Sequence, residues 1–308
     1  MPSPPSAVTP KAMSDKQVLC IGSVLWDIIG RANAVMRVGS DVPGRITRIP
    51  GGVTMNIAMT LHRFGLKPVL LTAIGKDEEG DELISASNRM GLDTSFVYRS
   101  EDLPTDVYMA IEGANGLISA IADAHSLEAA GSKILKPLQD GQLGSENAPY
   151  SGQIVIDGNL TVELLSDIAK STLFGAADLR VAPASPGKAE RLLPLLGCAN
   201  ATIYVNLEEA GYLCQTTFET APEAAGALLE RGAASILVTD GGRAAAHASQ
   251  QGLFTETPPE VLVTRVTGAG DTFMAAHMAA EARGDAPDAA LRAALKAAAT
   301  YVSGDVPS

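Results

Sequence analysis

Over its second half this chain alternates short apolar runs with stretches of helical length, and that alternation limits the folds open to it more than any other feature. Ile154 to Asp157, Leu179 to Ala182, Ile203 to Val205 and Ile236 to Thr239 read as buried strands. Val162 to Leu173, Lys188 to Leu195, Pro222 to Arg231, Ala269 to Ala282 and Pro287 to Tyr301 read as helices. Pro222 and Pro287 suit a first helical position, where the missing N–H removes no bond. Repeated βα units predict an α/β protein, with a doubly wound, mostly parallel sheet between two helical layers. The first half adds buried strands at Val18 to Ser23 and Val69 to Ile74. It also adds helices at Thr54 to Phe64, with Thr54 as N-cap, and at Lys76 to Met90, stopped by Gly91.

Four segments fall outside that pattern. Gly44 to Pro50, Phe96 to Arg99, Val107 to Glu112 and Leu117 to Asp123 are short and alternating, and Asn115-Gly116 is a hairpin signal. They predict a small separate sheet, a lid drawn from about residues 31–50 and 95–124. Gly141 to Gly152 reads as a loop. Residues 1–15, rich in Pro, Ser and Ala, are expected to be a disordered tail, leaving 16–308 as one domain.

Composition excludes some partners. Thirty-five acidic against 23 basic residues give a net charge of −12, which repels nucleic-acid backbones and anionic membranes. Aromatic residues are 4% of the chain, few for a base-stacking surface. No apolar stretch is long enough to span a membrane. Cys20, Cys198 and Cys214 show no metal or disulfide spacing, which suits buried thiols in the cytoplasm. His62, His125, His247 and His277 show no cluster in the sequence, and no metal role follows for them.

Five motifs carry chemistry. The first is Thr267-Gly268-Ala269-Gly270-Asp271-Thr272-Phe273 at the start of a helix. Glycines there allow a tight turn, helix N-terminal amides favour an anion, and Asp271 is placed to accept a proton. The plain alternative is a glycine turn with an acid in the first helical turn. The second is Pro50-Gly51-Gly52 with Asn56, where glycines admit a ligand to the backbone and the amide meets hydroxyls; taken alone, an ordinary turn with a helix-facing Asn is the better reading. The third is Asp27, beyond the first strand, where ligands bind in doubly wound sheets; a loop carboxylate facing water is its alternative. The fourth, Asn206-Leu207-Glu208-Glu209, suits a hydrated Mg²⁺ or a helix cap. The fifth, Thr239-Asp240-Gly241-Gly242, suits a nucleotide phosphate or ribose, or is a plain turn.

In their order and spacing these motifs resemble the ribokinase-like (PfkB) carbohydrate kinase family over about residues 17 to 303. The resemblance implies a three-layer αβα domain with a β lid, ATP and Mg²⁺, and a sugar or nucleoside substrate. It implies Asp271 as the base, with Gly268, Ala269, Gly270 and Asp271 forming an anion hole. Asp27, Gly51, Gly52 and Asn56 would hold the acceptor. Asn206, Thr239, Gly241 and Gly242 would meet the nucleotide, and Glu209 would organise Mg²⁺ through water. Two departures stand out. Ala244 replaces the last glycine of the family's Thr-x-Gly-x-x-Gly, and the segment after the final helix is short, where members often carry another helix.

Among family members the chain is most similar to pseudouridine kinases, through Gly22-Ser23, Asp27, Pro43-Gly44, Pro50-Gly51-Gly52-Val53 and Asn56-Ile57-Ala58. In that reading Asp123 accepts from the ring N–H edge of a uracil and Asn159 completes the contact, although Asp123 also reads as the polar end of a lid strand. The family's ribose, fructose and adenosine kinases remain the alternative acceptor classes, and a non-catalytic ligand-binding protein on this fold is a further one. A nicotinamide enzyme is disfavoured, because Gly22-Ser23-Val24-Leu25-Trp26 lacks G-x-G-x-x-G. The sequence leaves open K⁺ dependence and pairing of two chains through the lid.

Overall fold

The structure is a computed structural model and describes residues 16–37 and 39–304. The expected tail at 1–15 lies outside these residues. Among them the strands, in chain order, are β1 Gln17–Ile21, β2 Leu25–Arg31, β3 Arg45–Gly51, β4 Lys67–Leu71, β5 Ala73–Gly75, β6 Tyr98–Ser100, β7 Val107–Gly113, β8 Gly116–Asp123, β9 Gln153–Asp157, β10 Asp178–Ala182, β11 Ala201–Asn206, β12 Ser235–Thr239, β13 Ala245–Ser249 and β14 Gly252–Glu256. The α-helices are α1 Val53–Arg63, α2 Glu78–Arg89, α3 His125–Ala130, α4 Val162–Lys170, α5 Leu193–Leu196, α6 Leu207–Cys214, α7 Ala221–Glu230, α8 Ala269–Ala282 and α9 Pro287–Ser303.

The main sheet runs β14-β13-β12-β11-β10-β9-β1-β4. From β4 to β12 the neighbours are parallel, and β13 and β14 add an antiparallel edge. Two apolar layers flank it. One packs α4 and α7 residues such as Leu165, Ile168 and Leu228 on Leu19, Ile156 and Ile203. The other packs α1, α8 and α9, including Met55, Ile57, Met274, Met278 and Leu291, on Cys20, Val155 and Leu237. Strands buried on both faces read as continuous apolar runs, which is why β1, β9 and β12 show no alternation.

A second sheet, β3-β2-β7-β8, is the lid. Two expectations are corrected here. The lid begins at Leu25, so Asp27 stands within a strand and not in a loop after the first one. The segment near Phe96 is not part of the lid, because β6 pairs with β5 in a separate two-stranded sheet. The helix after Gly52 is also capped differently. Its N-cap is Gly52, and the Thr54 hydroxyl turns inward to Asp157 instead.

The outer lid surface is apolar and open. Ile46 is 77% exposed and Ile121 67%, with Met109 and Ile111 also exposed nearby. Ile46, Met109, Ile111 and Ile121 share one face by strand register, opposite the face carrying Asp27.

Candidate active site

The parallel order reverses at β1, which lies between β4 and β9, so a crevice opens at the carboxyl ends of β1 and β9. Asp157, the last residue of β9, is fully buried there. Its Oδ2 accepts from the Ser23 amide at 2.8 Å, the Ser23 hydroxyl at 2.9 Å, the Thr54 amide at 3.1 Å and the Thr54 hydroxyl at 2.8 Å. Its Oδ1 accepts from the Asn159 amide N–H at 2.9 Å. This carboxylate ties the end of β1, the start of α1 and the loop after β9 into one floor. Gly22, at φ 148°, makes the approach possible, since a Cβ there would overlap the Asp157 carboxylate.

The lid supplies Asp27. Burial pushes its carboxyl up to about 6. The carboxylate lies over the backbone of Gly51, where a methyl would overlap it. Gly52 follows with φ 98°, a left-handed geometry suited to glycine, and its backbone passes close to the Ser23 carbonyl.

Asn56, on α1, and Asp271, on α8, meet across 215 residues of sequence. The Asn56 Nδ2 donates to Asp271 Oδ2 at 2.9 Å. Burial, then the nearby Asp157, Asp27 and Glu209 charges, push the Asp271 carboxyl up to about 7, while the Asn56 bond pulls the other way. A carboxyl poised near neutrality is suited to taking a proton. It sits in the first turn of α8, which starts at Gly268 with φ 88°. Of the four amides expected to hold an anion, that of Ala269 already donates to the Val266 carbonyl at 3.0 Å. The amides of Gly270 and Asp271 occupy helix positions that have no intrahelical acceptor. Gly270 itself is exposed, and a Cβ there would meet nothing within 4 Å.

Asn206 and Thr239 stand side by side at the ends of the parallel strands β11 and β12. Asn206 also caps α6 in a reciprocal box. The Glu209 amide donates to Asn206 Oδ1 and the Asn206 amide to Glu209 Oε2, both at 2.8 Å. The cap thus uses the same two residues from which the Mg²⁺ contact is expected. Burial, and the Glu208 charge beside it, raise the Glu209 carboxyl to about 7, against a smaller lowering by the Asn206 amide. Beyond Thr239, Gly241 and Gly242 turn in the open, with nothing within 4 Å of a Cβ at either. Ala244 is not among the positive-φ residues, so the backbone accommodates the side chain that replaces a glycine there.

Two expected residues stand apart. Register pairs Asp123 with Val107, and Val107 with Trp26, on the lid face opposite Asp27. Its side chain is 69% exposed and its Oδ1 lies 3.0 Å from His125 Nδ1. It is not among the carboxylates that act on Asp271. Asn159 is in the crevice but engaged. Its Nδ2 donates to the Ser23 hydroxyl at 2.8 Å, and its Oδ1 accepts from Lys188 Nζ at 2.7 Å.

The histidines also differ from expectation. His247 and His277 stack edge to face with centroids 5.2 Å apart, beside Tyr204, whose hydroxyl lies 3.0 Å from His277 Nδ1. Residues 30 apart on β13 and α8 give no local signal of this. Among the described residues no group of three or more His, Cys, Asp or Glu has the arrangement to hold a metal ion.

The profile described as pfkB family carbohydrate kinase matches residues 15–305. The chain belongs to the PfkB family. Within the family it is 28% identical over 267 residues to a pseudouridine kinase of Escherichia coli, covering 84% of this chain and 81% of the other. It is 30% identical over 311 residues to the bifunctional protein HldE of Hyphomonas neptunium, covering 93% of this chain and 60% of that one. The chain thus spans well short of the full length of some curated relatives, 39% in one case. Among solved structures, a carbohydrate kinase from Agrobacterium tumefaciens superposes with a TM-score of 0.78 at 25% identity, covering 94% of each chain. The αβα sheet and separate lid described above are the fold of this family.

Proposed function

We propose that this PfkB protein transfers the γ-phosphoryl group of ATP to a hydroxyl of a sugar or nucleoside, with Asp271 as general base. The observation that carries the reading is the Asn56–Asp271 contact. It places a carboxyl raised to about 7 in the first turn of α8, next to the Gly270 amide, which has no intrahelical acceptor. An acceptor hydroxyl presented to Asp271 gives up its proton as it attacks. The amides of Gly270 and Asp271 meet the negative charge of the transferring group, in the field of the helix N-terminus. Asp27 and Asn56 orient the acceptor, with Gly51 and Gly52 leaving room for it. Asn206, Thr239, Gly241 and Gly242 line the path of the nucleotide.

The residues fit Mg²⁺ in the form such kinases use. A Mg²⁺ that keeps most of its waters needs few protein ligands, and no preformed cage is required. Glu209, a buried carboxyl whose ionisation is opposed by its surroundings, gains from a cation nearby. When bound, the ion neutralises charge on the phosphates.

For the acceptor we name pseudouridine first, its 5′-hydroxyl aimed at Asp271. Support comes from the Asp27, Gly51-Gly52 and Asn56 segments and from two curated relatives, the pseudouridine kinases of E. coli and Arabidopsis thaliana. Asp123 does not support it. A mouse ribokinase and several HldE proteins match over comparable lengths, so ribose and other sugars are the competing class. The apolar outer face of the lid suits pairing with a second copy of the chain, which light scattering on the purified protein tests. Function is tested by ADP release with Mg²⁺ over pseudouridine, uridine, adenosine, ribose and fructose. Turnover on pseudouridine well above uridine is expected. Turnover on a plain sugar alone keeps the phosphotransfer and discards the nucleoside. Bound ATP with no turnover favours a non-catalytic binder.

A further inference from the structure

The turn that starts α8 is held from outside by the end of α9. Tyr301 Oη donates to the Thr267 carbonyl at 2.9 Å, and the Tyr301 ring closes against Gly268, where a Cβ would have no room. Tyr301 is in turn held by Arg265. The guanidinium lies 3.8 Å over the ring, and its Nε donates to the Tyr301 carbonyl at 2.8 Å. Thr264 completes the junction, its amide donating to the Val302 carbonyl at 2.8 Å and its hydroxyl to the same oxygen at 3.1 Å.

Two features of this junction need explaining. The Tyr301 and Val302 carbonyls belong to the last turn of α9, where the helix dipole is negative and the i+4 donors are missing, the Tyr301 carbonyl accepting only the cap amide of Gly304 at 3.2 Å from its own helix end. Such carbonyls are the oxygen ligands a monovalent cation would use, and here Arg265 and Thr264 already bond them. Arg265 itself has no carboxylate partner among the described residues, in a chain of net charge −12. Most arginines described here are paired to acids, as Arg31, Arg48, Arg99, Arg180, Arg243 and Arg292 are. A guanidinium without a carboxylate partner thus stands three residues before the Gly268 turn.

We propose that Arg265 is a positioning residue for phosphotransfer. Through Tyr301 it fixes the turn presenting the Gly270 and Asp271 amides, and its built-in charge serves where a bound monovalent cation would otherwise be needed, so that turnover is independent of K⁺. This rests on the kinase reading above and adds to it a specific ionic requirement.

The test measures binding of the Mg²⁺ complex of a non-hydrolysable ATP analogue by calorimetry, in chloride salts of K⁺, Na⁺ and tetramethylammonium at one ionic strength. Turnover on the best acceptor is followed in the same salts. The unmodified protein should show values within about twofold in all three. Arg265→Met should lose about tenfold in analogue affinity or turnover, as expected when a stacked, hydrogen-bonded guanidinium is removed. Added K⁺ or guanidinium ion should restore part of it. Melting curves confirm that the variant is folded, and Tyr301→Phe, which removes only the bond to Thr267, should lose turnover in the same direction. A gain of more than about fivefold from K⁺ in the unmodified protein overturns the proposal, as does an Arg265→Met variant that binds and turns over normally. Failure of the unmodified protein to bind the analogue in any salt would instead reject the kinase reading, and this proposal with it.

Discussion

Asp271→Asn should abolish turnover and at the same time stabilise the protein at alkaline pH. The Asp271 carboxyl is moved from an ordinary 3.8 to about 7, first by burial and then by the Asp157, Asp27 and Glu209 charges. A full displacement of that size costs the ionised form about 4 kcal/mol. Water still reaches part of the side chain, and about half that figure, roughly 2 kcal/mol, is the reasonable expectation. The sign follows from linkage. The native state holds this proton more tightly than the unfolded chain, so the cost is absent below about pH 4, grows as pH rises toward 7 and is complete above it. Asparagine keeps an oxygen for the Asn56 Nδ2 donor but carries no charge. The stability difference between variant and parent should therefore widen by about 2 kcal/mol in the variant's favour between about pH 4.5 and pH 8, read from urea unfolding at each pH. Turnover should fall by about a hundredfold to ten-thousandfold, the usual worth of a general base. A stability difference that is flat with pH refutes the strained carboxyl. Near-normal kcat refutes the base.

The same carboxyl sets the pH profile of the unmodified enzyme: kcat/KM should fall as pH drops through about 7, because the protonated acid cannot accept a proton, and a profile flat from about pH 6 to 8 would contradict it. Asp157→Ala should destabilise by about 3 kcal/mol or more, since it leaves the Ser23 and Thr54 donors buried without an acceptor; denaturant melts measure this. Glu209→Gln keeps the helix cap, because Gln also closes a capping box, so melting should barely change while the Mg²⁺ concentration needed for half-maximal turnover rises several-fold. Gly51→Ala forces the Asp27 carboxylate aside and should raise the acceptor's KM by about tenfold while leaving nucleotide affinity unchanged, which steady-state kinetics in each substrate separate.

What the sequence made legible follows from how local each signal is. Gly268 to Asp271 could be read because turn, helix start and acid are contiguous, and α8 begins where expected. The capping box of Asn206 and Glu209 is equally local, and of its two readings the helix cap is the one the structure shows. Strand β2 was not legible. In Leu25–Arg31 only Leu25 and Trp26 are buried, Asp27 to Gly30 are half-buried and Arg31 is exposed, so no period shows. The β13–β14 edge was also missed. Ala245–Ser249 is made of small residues without strand propensity, and becomes a strand by pairing with β12 and β14. Asp157 was visible only as the polar end of a strand. Its importance lies in donors 103 and 134 positions away. Asp123 shows the opposite failure: a sequence neighbour of the right chemistry falls one residue out of register, onto the wrong lid face.

The carboxylates explain why the site is divided between a lid, a sheet end and a helix start. Asp27, Asp157, Glu209 and Asp271 come from β2, β9, α6 and α8, and three of them carry raised pKa values. Gathering them costs stability in the free protein; Lys188 acts on Asp157, but no cation is among the groups that shift Asp27, Glu209 or Asp271. Asn56 offers Asp271 a neutral donor. Such a cluster is relieved by anything that brings positive charge or takes up a proton. In the proposed reaction, nucleotide with its metal would do the first near Glu209, and proton transfer from the acceptor would do the second at Asp271. The free energy stored by crowding these acids is released only when both ligands are in place, so binding of one should strengthen binding of the other. In the same proposal the lid acid Asp27 would carry this coupling to the acceptor. Its charge acts directly on Asp271, and it can approach only because Gly51 leaves the space.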